Sequence, residues 1–465
     1  MSVRFAKFAI LFCCALLAFP LVASAQNNNN NNNNQNNGFN NLPNLVGGVE
    51  IDTNGVLSSA NRMIDNDTRL RLEANLGGID SDLQKQTDLR MISLRALEAA
   101  INQAKDEGTP LSREAALMAG IQRIEYIILD TENNDVILAG PAEGIKVSAN
   151  GIVGETSNTP VIQLEDFLVA MRSTDNARSG QGISVSIDPT EQGIKQLQSL
   201  FGQLKRARTP FNPEMQPAVE KAMGQQIINL TGVPTDSRFS QVLVAADYKM
   251  KRLSMGLEAA KISNFPSFME IAQKSNVKNM TAAPRFWMEC NYQPLAKSED
   301  GHIWQIRGQG VRTLTEETKF DPNGKKSQAG TQNRFAKKWA DAMTDRFEEL
   351  SKAEPAFREL RNIMDLSVAA AIIRREGLAE KVGLEIPAIL GVTDAAMIQS
   401  HSVPKTVAAE CSFVRIAKSW LVSASGGVQL DPWGVASKVE TADLSGVAKM
   451  AKNTTVNKLW WNASK

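Results

Sequence analysis

Few residues of this 465-residue chain have types and spacings that could do chemistry: two histidines, four cysteines and one short charged run. His302 and His401 lie far apart in the chain, so they cannot form the i, i+4 helical pair of a zinc site, and no H-E-x-x-H, G-x-S-x-G or P-loop sequence occurs. His302 follows Gly301, the place of an exposed loop histidine rather than a general base. Cys13 and Cys14 fall in the apolar opening segment, which leaves Cys290 and Cys411. Neither has the basic or helix-start neighbour that lowers a thiol pKa, and two cysteines are too few for a thiolate zinc set. No catalytic residue, metal ligand or cofactor is therefore assigned. A pair of carboxylates on the glycosidase pattern stays open, because such a partnership is spatial and leaves no spacing in the sequence.

The most function-like segment is Ala246-Asp247-Tyr248-Lys249-Met250-Lys251-Arg252, where an apolar run ends abruptly in charge and holds one of only three tyrosines. Asp247, Tyr248, Lys249, Lys251 and Arg252 are candidate binding residues, since converging charges at the end of a strand often line sites. The plainer alternative is a solvated helix start with Asp247 as cap. Arg307 and Gln309, in Arg307-Gly308-Gln309-Gly310, are two further binding candidates; a bulge or bend in a strand explains the same glycines. Cys290 and Cys411 form either one long-range disulfide or two buried thiols. All seven tryptophans lie between 287 and 461, and Trp460-Trp461 reads as an interaction tag or as a docked terminal segment.

The opening 25 residues give an address. Arg4 and Lys7 precede an apolar run from Phe8 to Val22, and Ala23-Ser24-Ala25 stands just before Gln26. This is the pattern of a secretory signal peptide with an A-x-A cleavage site, and its apolar run is short of the roughly 20 residues that span a bilayer. Cleavage after Ala25 leaves 440 residues, beginning at Gln26, in a periplasmic or secreted location. The net charge of +1 gives no reason to expect nucleic acid or an anionic membrane as partner, and no later stretch reads as a membrane span. Residues 26–43 carry eight consecutive asparagines and almost nothing to bury, which predicts a disordered leader. Self-association through such a tract is the alternative to a spacer.

Three glycine-bracketed segments, Gly48–Leu57, Gly144–Val153 and Gly427–Ala436, each read as glycine, β-branched, polar, aliphatic, turn formers, glycine. They predict hairpins with Gly55, Gly151 and Gly434 at positive φ. Calcium at Asp52 and Asn54 of the first is disfavoured by the missing acidic ligands. Periodicity predicts a helix over 84–107, a second one capped by Thr109 with Pro110 at its start, and a strand pair, 121–130 with 135–140, joined at 131–134. Farther on come a strand at 183–187 and a helix capped by Asp188. After the Pro-rich joint at 205–213 come a helix carrying Met215 through Leu230, a strand at 241–247 and a helix at 251–261. An antiparallel pair, 285–292 with 303–313, precedes two amphipathic helices. The first carries Phe335, Trp339, Met343, Phe347 and Leu350, and the second Phe357, Leu360, Met364, Val368 and Ala371. Strands from 411 to 430 close the pattern.

Strands interspersed with helices and hairpins indicate an α+β fold with antiparallel or mixed sheets, flanking amphipathic helices and two subdomains. The expected division is a signal at 1–25, a leader at 26–43, α+β domains at 44–208 and 213–437, and a tail at 438–465. Val136 to Glu143, Val242 to Arg252, Arg307 to Val311 and Ser425 to Val428 together resemble the secreted planctomycete proteins grouped as a domain of unknown function. The likeness runs over roughly 44–437 and is silent on activity, so it carries no catalytic residue over to this chain. The reading is a non-enzymatic extracytoplasmic binding or structural protein whose partner is an unidentified protein or polymer. The alternative is a carboxylate-dependent hydrolase of extracellular polymer.

Overall fold

The computed structural model describes residues 81–148, 151–178, 182–210, 212–274, 283–320, 333–392, 400–416, 426–451 and 458–463, together with short strands outside those ranges. The signal, the leader, Gly55, and Asp52 with Asn54 lie outside the described residues. The short strands β1 (Leu45–Val46), β2 (Val49–Ile51) and β3 (Leu57–Ser59) form an antiparallel sheet, with β2 and β3 as the arms of the first glycine-bracketed segment. In the second such segment β7 (Ile145–Ser148) and β8 (Gly151–Gly154) pair antiparallel, and Gly151 has φ +97° as expected.

Two seven-stranded sheets carry the fold, which is α+β. The first runs β15 (Lys326–Gln328), β14 (Gly310–Phe320), β11 (Ala283–Asn291), β19 (Val428–Leu430), β9 (Ile183–Pro189), β10 (Gln225–Thr231), β16 (Thr406–Ala408). The second runs β20 (Val439–Thr441), β12 (Leu295–Lys297), β13 (Ile303–Gln305), β5 (Tyr126–Asp130), β6 (Asp135–Ala142), β4 (Thr87–Ser93), β21 (Trp460–Asn462). Most pairings are antiparallel; β11 with β19 and β12 with β20 are parallel, so the sheets are mixed. Both sheets draw strands from either side of residue 210, and Gly38–Lys465 is one compact unit. A small hairpin, β17 (Phe413–Ile416) with β18 (Ser419–Val422), completes the strands.

The helices are α1 (Leu94–Glu107), α2 (Arg113–Ala116), α3 (Leu164–Asn176), α4 (Glu191–Arg206), α5 (Gln216–Met223), α6 (Arg238–Met255) and α7 (Phe268–Gln273). They continue with α8 (Arg334–Asp345), α9 (Phe347–Ala353), α10 (Pro355–Glu376), α11 (Leu378–Lys381), α12 (Pro432–Ala436) and α13 (Ser445–Ala451). α6 lies on β9, β11 and β19 of the first sheet, and α1 covers β4 and β6 of the second. α10 packs against α3, α6, α12 and β14, and every residue from Pro355 to Ile373 is buried. A helix enclosed on all sides must carry its polar groups inside the protein, where each needs a partner. That requirement shapes the charged site described below.

Several local expectations are corrected. The helix expected from 84 begins only at Leu94; Met91 belongs to β4, and the Ser93 side chain caps α1 by accepting from the Ala96 N–H. Ser112, not Thr109, caps α2, and Thr190, not Asp188, caps α4, because β9 continues through Pro189. The helix through Met215 stops at Met223, where Gly224 takes φ +66° and turns the chain into β10 with Ile227 and Leu230 in it. The strand expected at 241–247 and the start of the helix expected at 251–261 are instead one helix, α6, which ends at Met255 with Gly256 as its cap. The run 303–313 is divided: β13 forms a hairpin with β12, and β14 pairs with β11. Gly434 sits inside α12, capped by Asp431, and lacks a positive φ, so the third glycine-bracketed segment is not a hairpin. The strand pair β5 and β6 forms, with β5 beginning at Tyr126 rather than at 121; the helix expected from Phe335 through Leu350 breaks at Arg346 into α8 and α9, and the long α10 stands where periodicity put it.

Candidate functional site

The run singled out for binding lies on α6, and because α6 is enclosed its charged side chains diverge to different neighbours. Asp247 is fully buried; its Oδ2 accepts from the Ile187 N–H at 3.1 Å and faces Lys251 Nζ at 3.5 Å. Burial raises its carboxyl above the ordinary aspartate range, against the pull of Lys251. Lys251 donates to the Ile187 carbonyl, so the pair ties α6 to β9. Lys249 turns the other way, to Glu258 and to the buried Glu354 at 3.2 Å. Arg252 meets Glu410, Glu258 and the hydroxyl of Tyr248, and its guanidinium lies over the Tyr248 ring at 5.5 Å. Burial, with the Glu410 carboxylate beside it, pushes the Tyr248 phenol up to about 12.

Tyr248, Lys251 and Arg252 do converge on one cavity with Gln226 of β10, Ala408 of β16 and Glu410. Its volume is about 10 Å³, at the lower limit for a single water molecule. The two other binding candidates stand elsewhere. Arg307 reaches the Pro294 carbonyl and Glu440, and Gln309 donates at 3.0 Å to the carbonyls of Val311 and Thr344. Gly308 at φ +115° and Gly310 at φ +92° make this segment a bend into β14, where a Cβ on Gly310 would come 2.9 Å from Arg361 Cγ.

Cys290 and Cys411 are both free thiols. The long-range disulfide is not formed, for a topological reason: Cys290 is in β11, Cys411 follows β16, and β19, β9 and β10 stand between those strands. Four strand spacings amount to about 19 Å, far beyond the roughly 7 Å that a bridge tolerates. Cys411 packs instead on Met223, with sulfurs 3.1 Å apart. Burial pushes both thiols up to about 12.

The charged chemistry that sequence reasoning missed is on α10. Asp365, fully buried, accepts from Arg123 Nε at 2.8 Å, Arg123 Nη2 at 3.0 Å and the Tyr292 hydroxyl at 2.7 Å. Arg123 also reaches the Gly308 carbonyl at 3.2 Å, which joins the bend before β14 to the same network. Arg361 pairs with Glu348, and burial raises the nearby Glu125 carboxyl. Six residues before Asp365, Glu359 meets Arg238 of α6 at 2.6 Å, and the same guanidinium holds Asp166 of α3. Glu165 lies 4.0 Å from Arg238 Nε and 2.8 Å from His401 Nε2. One signal for this was present: Val368 to Ile373 of α10 is apolar on every side, which marks a helix enclosed in the protein, so charges one to three turns earlier on it had to find partners inside.

His302 is the exposed hairpin residue expected, its N–H donating to Asp300. Among the described residues no group of three or more His, Cys, Asp or Glu side chains is disposed to hold a metal, and no helix is long and apolar enough to cross a membrane. A depression of about 280 Å³ lies between the end of α10 and residues 384–392 and is lined mainly by Ile373, Leu384, Ile386, Pro387, Leu390 and Val392.

Comparison with curated proteins and with solved structures gives no match. Residues 185–268, from β9 through α6 to the start of α7, match a family described as a protein of unknown function (DUF1598).

Proposed function

We propose that this chain is exported by its N-terminal signal and works outside the cytoplasm as a non-enzymatic binding or structural protein. In this reading the likeness to the secreted planctomycete family extends beyond the matched segment to roughly 44–437. One observation carries the non-enzymatic part. Each of the seven candidate binding side chains, Asp247, Tyr248, Lys249, Lys251, Arg252, Arg307 and Gln309, is engaged by another group of the same chain. Charges used in this way hold helices to sheets. Asp166 and Glu359, two buried carboxylates on facing helices, likewise grip one buried guanidinium, Arg238, rather than facing each other across an open cleft as the acid and base of a hydrolase would.

The test has two parts. Mass spectrometry of the protein from cell fractions should find it outside the cytoplasm with Gln26 as its first residue; recovery only in the cytoplasm, with Met1 intact, would remove the extracytoplasmic reading. The purified chain should then release no product from a panel of polysaccharide and peptide polymers. Turnover lost in Asp166→Asn or Glu359→Gln, with the fold intact by circular dichroism, would replace this reading with the carboxylate hydrolase.

A further inference from the structure

Residues 388 and 389 are gripped along both backbone edges by side chains from two other helices. Glu98 of α1, itself buried, accepts from the Ala388 N–H at 2.8 Å and from the Ile389 N–H at 2.9 Å. Arg172 of α3 donates to the carbonyls of the same two residues, Nη2 to Ala388 at 2.8 Å and Nε to Ile389 at 3.0 Å. Gly391 then turns the chain at φ +73°, and a Cβ there would lie 2.8 Å from Arg172 Nε. The preceding turn is tied to α11: the Leu384 N–H donates to the Ala379 carbonyl at 2.8 Å and the Gly383 N–H to the Glu380 carbonyl at 3.1 Å.

These walls enclose the depression of about 280 Å³, whose interior is made apolar by Ile373, Ala379, Leu384, Ile386, Pro387 and Leu390. Small-molecule pockets begin at about 300 Å³, and a hollow of roughly 150 Å³ already admits benzene. Walls fixed by hydrogen bonds hold their shape without help from a ligand, so little affinity is lost to ordering the protein.

The rim is charged. Arg374 meets Asp175 at 3.0 Å and Glu380 at 3.6 Å, whereas the exposed Glu385 has no ion pair or side-chain hydrogen bond among the described residues. Of the charged side chains lining the hollow, Glu380 and Glu385 are acidic and Arg374 is the cation, so one negative charge is left over at the mouth. The apolar surface ends there too. Among the described residues the exposed large apolar side chains are Ile227, Val392, Val439 and Met450, and of these Val392 alone borders the hollow. A stable protein partner would cover about 800 Å² on this side, and one isolated valine does not supply such a patch.

We propose that this hollow binds one small amphiphilic cation, its apolar body among Ile373, Leu384, Ile386 and Leu390 and its ammonium group facing Glu385. Glu98 and Arg172 position the wall. The site shares no residue with the seven candidates considered above and needs neither export nor the absence of catalysis, so it can fail without that reading failing.

Methyl NMR of the full chain, labelled at Ile, Leu and Val and titrated with phenethylamine, tests this directly. Signals of Ile373, Leu384, Ile386 and Leu390 should shift saturably, with a dissociation constant on the order of 1 mM, while those of Ile127 and Ile128 in β5 stay in place. Hydrocinnamate, a carboxylate on a similar ring and chain, should bind about tenfold more weakly. Glu385→Gln should weaken phenethylamine about threefold and leave phenethyl alcohol unchanged. Leu390→Trp, filling the hollow from a half-buried position, should abolish binding with the fold intact by circular dichroism. Wild-type signals that do not saturate by about 10 mM phenethylamine overturn the proposal, whether or not the variants fold. So does equal affinity for amine and carboxylate, amine binding that Glu385→Gln leaves unchanged, or binding that survives in folded Leu390→Trp.

Discussion

The Tyr292 hydroxyl donates to Asp365 Oδ1 at 2.7 Å, and the same carboxylate takes two bonds from Arg123. The residue after β11, the segment before β5 and the middle of α10 thereby meet at one fully buried acid, which links the first sheet, the second sheet and the central helix.

Removing that acid should cost far more than removing the phenol's bond. Asp365→Ala strands the mostly buried Arg123 charge and is expected to lose about 3–5 kcal/mol. Tyr292→Phe gives up one hydrogen bond to a charged group, about 1.5–3 kcal/mol. Urea unfolding of the two variants should give this order, and a smaller loss for Asp365→Ala than for Tyr292→Phe would contradict the assigned geometry.

The two thiols should be inert in the folded chain. With both pushed up to about 12, roughly one in 10,000 is thiolate at pH 8. Iodoacetamide should leave Cys290 and Cys411 unmodified under native conditions and alkylate both in guanidinium chloride, as read by peptide mass spectrometry without prior reduction.

Arg90 joins the terminal strand to the body. Its guanidinium is buried, donates to the carbonyls of Ala119 at 2.6 Å and Lys85 at 2.8 Å and to Asn462 Oδ1 at 2.8 Å, and lies 5.1 Å from the Trp460 ring centre. Met118, Ala119 and Gly120 all have positive φ, a costly left-handed run that this contact helps to hold. Arg90→Met is expected to lose about 3 kcal/mol and to expose β21, so that limited proteolysis cleaves within 452–463 earlier than in the wild type.

Two glycines separate steric from conformational need. A Cβ at Gly140 would lie 2.0 Å from the Arg123 carbonyl oxygen, whereas one at Gly151 meets nothing within 4 Å and is opposed only by φ +97°. Gly151→Ala should therefore cost about 1–2 kcal/mol. Gly140→Ala must displace the backbone at Arg123, in the segment before β5, and should cost more or prevent folding; thermal melts would show the order.

What the sequence determined by itself is what neighbouring residues decide among themselves. The β7 and β8 turn at Gly151 and α8 with its Phe335, Trp339 and Met343 face were legible because each has one buried and one wetter side, and that contrast is written as a period; β5 and β6, buried on both faces, were legible as two apolar runs either side of the polar turn 131–134. Tertiary structure decided the rest. Val242 to Ala246 reads as a strand and is the middle of α6, because a helix enclosed by sheet and helices has no polar face to reveal its period. The same enclosure turned Asp247, Lys249 and Lys251 from a presumed binding cluster into ties between α6 and its surroundings. Asp365 with Arg123, and Arg238 with Asp166 and Glu359, left no local trace, since their partners are far apart in sequence. A buried charge is stabilised by whatever the fold brings to it, and chain spacing does not record which residue that is.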